Sequence, residues 1–105
     1  INCYDGDTCT TKEGESIRLA CIDTPELLGP RRNTIEAELA RDYLNDLIEG
    51  KDVLINRITE DRYGRTVAEI YIDGKNVQQI LVEKGFAVIY EKYAHQCSWS
   101  RSVAI

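Results

Sequence analysis

Charged side chains in three short runs of this sequence have the types and spacing to work on a phosphate ester. Asp5 and Asp7 flank Gly6 in the run Asp5-Gly6-Asp7-Thr8. Arg18 leads into Asp23-Thr24-Pro25-Glu26. Arg65 closes the run Asp61-Arg62-Tyr63-Gly64-Arg65. Carboxylates and backbone carbonyls are hard oxygen donors that select Ca²⁺ or Mg²⁺. Arginine presents a planar fork that matches phosphate oxygens. The only histidine, His95, stands near the tail, so a Ser-His or Cys-His nucleophilic pair is not expected. Each run also has a plain reading. Asp-Gly pairs make turns, Asp-Thr-Pro-Glu resembles a helix entry, and Tyr-Gly-Arg fits a hairpin turn with a solvated charge. Acidic and arginine side chains gathered from three separate runs point instead to metal-assisted phosphoryl chemistry.

Such groups need a scaffold, and the chain has 105 residues, enough for one small domain with one core. Residues 2–11 and 16–23 are expected to be strands around the turn at 12–15. Gly6 inside the first suggests a bulge or a close backbone approach. Residues 27–32 are expected to form a loop. A helix follows, with Asn33 as N-cap, Glu36 as its capping-box acid and Gly50 as its stop. Ile35, Leu39, Ala40, Tyr43, Leu44, Leu47 and Ile48 recur at helical spacing and are expected to form its apolar face. Strands are expected at 53–58 and 66–72, joined by the turn at 61–65, with another turn at Asp73-Gly74. Asn76 caps a short helix carrying Val77, Ile80, Leu81 and Lys84, which Gly85 stops. A last strand runs from Phe86 to Tyr90. The pattern fades after Tyr93, and Ser98–Ile105 reads as the start of a helix that is not completed. This order fits an α+β domain: a small five-stranded β-barrel with helices packed on it.

Composition narrows the classes further. The chain is 43% hydrophobic and 30% charged, with two prolines and seven glycines, which excludes a disordered low-complexity chain. No apolar run reaches the roughly 20 residues of a membrane span. Thirteen basic against eighteen acidic residues give a net charge of −5, which argues against broad electrostatic capture of nucleic acid. A cluster of arginines or a bound cation can reverse the sign locally. Arg31 and Arg32 read equally well as a positive rim and as solvated loop charges. Cys3, Cys9, Cys21 and Cys97 are too scattered for a zinc site or a disulfide scaffold and are expected as free buried thiols, although an even count permits bridges. The absence of methionine and the even cysteine count lean toward a processed, secreted or periplasmic protein.

Taken in order, Asp5-Gly6-Asp7-Thr8, Ile17-Arg18-Leu19, Ile22-Asp23-Thr24-Pro25-Glu26 and Asp61-Arg62-Tyr63-Gly64-Arg65 with Ala68 resemble the staphylococcal nuclease (thermonuclease) family. Asp73-Gly74-Lys75-Asn76-Val77 and Leu81-Val82-Glu83-Lys84-Gly85-Phe86-Ala87 continue the likeness, which spans residues 3 to about 90. The resemblance implies an OB-fold barrel in a single domain over residues 1–105, with the family's C-terminal helix truncated. It implies Ca²⁺-dependent endonuclease hydrolysis of DNA and RNA to 3′-phosphate products. It makes Asp7 and Asp23 metal carboxylates, the Thr24 carbonyl a further ligand and Asp5 an acid behind them. Glu26 positions or deprotonates water, Arg18 and Arg65 hold the scissile phosphate, and Arg62 and Tyr63 grip its neighbour. Tyr90 and Tyr93 are both candidates for stacking on a base, since the local register departs from the family pattern. The alternatives are a non-catalytic OB-fold module that binds nucleic acid or protein, and a structural domain with a buried ion network. The intact acid and arginine set favours the enzyme over the first. Desolvated carboxylates with only two arginines weigh against the second.

Overall fold

Strand β6 (Thr66–Ile72) organises the molecule. Its run Val67-Ala68-Glu69-Ile70 is buried throughout, as a strand flanked on both edges must be. The computed structural model describes residues 1–25 and 34–101. Within them, β3 (Ser16–Leu19) runs parallel to β6, and β5 (Val53–Glu60) runs antiparallel along its other edge. Strand β2 (Thr8–Thr10) pairs with β3, and β1 (Asn2–Asp5) pairs with β2. The path is therefore β1-β2-β3-β6-β5, with the short β7 (Lys75–Asn76) also on β6. A separate two-stranded ladder joins β4 (Ile22–Asp23) to β8 (Val88–Ile89). The domain is thus mixed α+β, with two helices against the sheet.

Helix α1 (Thr34–Ile48) packs on β1. Its buried stripe is Ala37, Ala40, Leu44 and Ile48, while Ile35 and Leu39 point to solvent at 75% and 56% exposure. The expected apolar face holds at Ala40, Leu44 and Ile48, with Tyr43 and Leu47 packed against the core, but Ala37 belongs to it in place of Ile35 and Leu39, because a lone alanine carries little hydrophobic signal. Asn45 accepts from the Cys3 amide at 2.9 Å and donates to the Cys3 carbonyl at 3.0 Å. The helix thereby satisfies backbone groups on β1 that would otherwise form an open sheet edge. The expected N-cap, Asn33, lies outside the described residues. Helix α2 (Val77–Glu83) does carry its expected cap, with Asn76 accepting from the Gln79 amide at 2.9 Å. Fully buried Gln78 docks α2 on β6, accepting from the Ile70 amide and donating to the Ala68 carbonyl. Ile17, Leu19, Ala68, Ile70, Leu44, Val77 and Leu81 fill the core between these elements.

Four expectations need correction. Residues 2–11 are not one bulged strand but a hairpin, with β1 and β2 reversing at Gly6-Asp7. Residues 16–23 break into β3 and β4 because Cys21 adopts φ 72°, a left-handed conformation that no strand accommodates. The last strand shrinks to Val88–Ile89, and two 3₁₀ turns follow at Glu91–Gln96 and Ser98–Arg101. The cysteines are not free thiols: Cys3 bridges Cys9, and Cys21 bridges Cys97. Pairings between residues 76 apart depend on where the chain end returns, which linear spacing does not encode. The return is secured a second time by Trp99, whose indole N–H donates to buried Glu69 at 2.9 Å.

Candidate functional site

The β1–β2 reversal brings Asp5 and Asp7 together and sets Gly6 and Asp7 against Thr24. A Cβ on Gly6 would stand 2.9 Å from Thr24 Cβ, Cγ2 and Oγ1, so only glycine allows this approach. Asp7 is 8% exposed. Its Oδ2 accepts from the Thr24 amide at 3.2 Å and the Thr24 hydroxyl at 3.0 Å. Its Oδ1 accepts from the Thr8 hydroxyl at 3.2 Å, and Arg18 Nη2 lies 3.6 Å from Oδ2. Its backbone carbonyl accepts from the Leu19 amide at 2.8 Å. One aspartate therefore links the hairpin, β3 and the segment after β4.

Arg18 is fixed by the turn that follows it. Its Nη1 donates to the Leu19 carbonyl at 2.7 Å and its Nη2 to the Ile22 carbonyl at 2.9 Å. The left-handed Cys21 curls the backbone around the guanidinium, and the Tyr90 amide donates to the Cys21 carbonyl from outside. Asp23 ends β4 exposed, one residue before buried Thr24. An open cleft of about 350 Å³ adjoins it, walled by Asp23, Thr24, Pro25, Glu36 and the segment before β8.

Electrostatics mark the acid pair. Burial, the neighbouring Asp7 charge and a side-chain hydrogen bond with Asp7 raise the Asp5 carboxyl to about 6, against backbone hydrogen bonds that favour its ionised form. The Asp7 amide donates to Asp5 Oδ1 at 3.0 Å, holding the two residues side by side. Crowded, partly desolvated carboxylates are a donor set that a hard cation relieves. Two of them with the Asp23–Thr24 segment fit such an ion, although no three acidic, histidine or cysteine side chains converge on a metal position among the described residues.

Arg65 belongs to a second cluster. The parallel register sets Arg18 opposite Val67, so the turn bearing Arg65 emerges beside β3. Among the described residues its ion-pair partner is Asp61, not the Asp7–Arg18 group. Asp61 accepts from the Arg65 amide at 2.9 Å, from Arg65 Nε at 2.7 Å and from the Tyr63 amide at 3.0 Å. Burial pushes the Asp61 carboxyl up, but these donors outweigh it and hold it below its ordinary value. The guanidinium groups of Arg62 and Arg65 lie 5.0 and 5.5 Å from the Tyr63 ring centre. The Tyr63 hydroxyl accepts from Arg62 and holds that guanidinium above its ordinary value, with smaller electrostatic contributions from Tyr93 and Asp61. Tyr93 thus shares this neighbourhood. It meets Tyr90 edge to face at 5.2 Å, with Lys92 over its own ring.

The expected site residues therefore form one tight group (Asp5, Asp7, Arg18, Thr24 and adjoining Asp23) and one turn (Arg62, Tyr63, Arg65). Glu26, Arg31 and Arg32 lie outside the described residues. The anchoring role of Asp61 was missed, although an aspartate opening a four-residue turn that ends in glycine is a known turn signal.

Residues 16–102 match the model of the staphylococcal nuclease homologue family. The chain is 42% identical over 86 residues to the Staphylococcal-like nuclease CAN1 of Arabidopsis thaliana, a match covering 79% of this chain and 25% of that protein. It is 38% identical over 99 residues to an uncharacterized endonuclease of Haemophilus influenzae, covering 90% and 53%. It is 34% identical over 97 residues to an uncharacterized endonuclease of Escherichia coli, covering 89% and 60%. The chain thus matches between a quarter and about 60% of the length of these relatives.

Proposed function

The chain belongs to the staphylococcal nuclease family, and on that premise we propose that it is a Ca²⁺-dependent endonuclease that hydrolyses phosphodiester bonds of DNA and RNA and leaves 3′-phosphate ends. The observation that carries this reading is the docking of Asp7 against Thr24 and Arg18, which joins three chain segments in one polar group. Asp7, Asp23 and the Thr24 carbonyl would hold the cation, with Asp5 behind them. All are hard oxygen donors, and the crowded Asp5–Asp7 pair supports the fit. A bound Ca²⁺ offsets the charge of the phosphodiester and lowers the pKa of an attacking water.

The remaining work falls to the protein's own side chains. Glu26 orients water in line with the leaving oxygen and accepts its proton. Arg18 and Arg65 bind the scissile phosphate and favour the charge that builds up on its oxygens in the transition state. Asp61 occupies Arg65 Nε, which supports a pose in which the two Nη groups point at phosphate oxygens. Arg62 and Tyr63 bind the adjacent phosphate. The water oxygen bonds to phosphorus as the bond from phosphorus to the 5′ oxygen breaks; the leaving 5′ oxygen takes a proton from solvent, and Glu26 returns to solvent the proton it accepted.

The same proposal takes residues 1–105 as one nuclease domain and the path β1-β2-β3-β6-β5 as an OB-type barrel with β1 and β5 at its seam. Two disulfides support an oxidising compartment, secreted or periplasmic. Among the described residues no helix is long and apolar enough to cross a membrane.

The test is cleavage of single-stranded DNA titrated with Ca²⁺, with product ends identified. Activity is expected to vanish with chelator and to fall on the order of 10²–10⁴-fold in Arg18→Ala and Arg65→Ala. Binding without cleavage at saturating Ca²⁺ would refute the enzyme and leave a binding module.

A further inference from the structure

We propose that the Cys3–Cys9 bridge is a positioning device that pre-forms the Asp5–Asp7 hairpin turn for its cation. The inference rests on the reading above that this acid pair belongs to a Ca²⁺ site.

The two cysteines are directly opposite each other in the β1–β2 ladder, six positions apart in sequence. The bridge therefore closes a small ring whose other members run from Tyr4 to Thr8 and include Asp5, Gly6 and Asp7. Backbone pairing alone holds this ring weakly. Strands β1 and β2 span four and three residues, and their register is interrupted between Cys3 and Asp5. Short hairpins of this kind are marginal in water. The two carboxylates stand side by side within the turn, the Asp7 amide donating to Asp5 Oδ1 at 3.0 Å, and the ladder is broken at the base of that turn. The bridge spans that base.

Its surroundings complete the clamp. Cys3 and Cys9 are 2% and 0% exposed, so the bridge is part of the core and not a surface tether. Asn45 of α1 grips both backbone groups of Cys3. On the far side of the ring, Thr24 and Arg18 hold Asp7. A turn fixed at both ends keeps its carboxylates in place before the cation arrives, so binding need not order the loop. The effect of the bridge then falls on cation affinity and not on the chemical step.

A bridge that only stabilised the domain would behave differently, and the two roles separate in one experiment. Ca²⁺ alone is titrated calorimetrically into the oxidised wild type, into Cys3→Ala/Cys9→Ala, and into Ile72→Val, a core change in β6 that lowers stability by another route. The double variant is expected to bind Ca²⁺ about tenfold more weakly or worse, and to recover cleavage to within about threefold at saturating Ca²⁺. Ile72→Val is expected to keep the wild-type affinity. Hydrogen exchange on the intact, metal-free wild type covers the case of a variant that does not fold. The Asp7 amide, which donates to Asp5, is expected to be protected before any Ca²⁺ is added. Affinity within twofold of wild type in the double variant, equal weakening in Ile72→Val, or an Asp7 amide protected only after Ca²⁺ addition would each overturn the inference. A wild type that binds no Ca²⁺ overturns the metal-site reading itself.

Discussion

Asp5→Asn is expected to make the metal-free protein more stable at pH 8 and to leave it unchanged at pH 3.5. The Asp5 carboxyl is raised from 3.8 to about 6, chiefly by burial and then by Asp7. A group whose folded value lies above its unfolded value favours folding fully when protonated in both states, below about 3.8. That contribution disappears as pH rises through about 6, so above it ionised Asp5 opposes folding. A shift of roughly two units corresponds to a ceiling of about 3 kcal/mol. Solvent screening at this half-buried position reduces it to about 1–2 kcal/mol. Asparagine removes the charge and keeps an oxygen to accept from the Asp7 amide, now 3.0 Å from Asp5 Oδ1. For a domain of this size, such a gain raises Tm by about 5–10 °C. The assay is thermal unfolding of both proteins in chelator at pH 3.5, 5, 6 and 8, with the difference between them plotted against pH. A gain of equal size at pH 3.5 and pH 8, or a loss at pH 8, would refute the electrostatic account. The same substitution should weaken Ca²⁺ binding, as expected where a site holds repulsion that its ligand relieves.

Gly6→Ala forces a methyl group to within 2.9 Å of Thr24, whose amide and hydroxyl are committed to Asp7; it should cost about 1–3 kcal/mol in urea unfolding, and an unchanged midpoint would mean the turn yields freely. Removing the Cys21–Cys97 bridge as a double alanine variant frees a loop of 76 positions and should cost about 2–4 kcal/mol, read from denaturant midpoints; a loss below about 0.5 kcal/mol would show that Trp99 and Glu69 suffice to hold the chain end. Glu15 is held down to about 2, first by hydrogen bonds from Arg57 and then by the Thr66 hydroxyl, so its contribution is present above about 4.5 and lost as pH falls through 2. Glu15→Gln should therefore lower Tm at pH 7 and converge with wild type near pH 2, and a constant difference across that range would count against the ion pair.

Local signals were legible wherever one residue type dictates one conformation. Asn76 caps α2, Gly50 follows the end of α1 with φ 70°, and Gly64 and Gly74 supply the left-handed positions of the two turns around β6. Signals that depend on what packs where were not. The α1 stripe includes Ala37, which carries too little hydrophobic signal to mark it, and leaves out Ile35 and Leu39, which carry more. Gly6 reads from the sequence as a bulge or a close backbone approach inside one strand. The structure makes a reversal there, in which Thr24 fills the space that a glycine leaves. The cysteine pairs required both the hairpin and the return of the chain end, neither of which spacing reveals.

The blocks of the candidate site stand out in the sequence because each brings its own anchor. Arg18 is gripped by carbonyls one and four residues ahead of it, and Arg65 by an aspartate four residues behind. Such short-range holds survive in a linear pattern. What joins the blocks is long-range: Asp7 to Thr24 across 17 positions, and Cys21 to Cys97 across 76. This division bears on how an acidic chain handles a polyanion. With a net charge of −5, it has no long-range field to draw nucleic acid in. Its arginines are instead fixed in place by backbone and carboxylate partners before any phosphate arrives. In the proposed nuclease little ordering then remains to oppose phosphate binding, and a bound cation would supply the charge that the surface lacks. The proposed nuclease should accordingly lose less affinity for single-stranded DNA between 50 and 200 mM salt than the roughly 10³–10⁵-fold of proteins that rely on many phosphate contacts. A binding series in Ca²⁺ with Glu26→Gln, which slows cleavage and keeps the phosphate-binding arginines, measures that slope, and a steep one would mean that a basic surface elsewhere on the chain carries the binding.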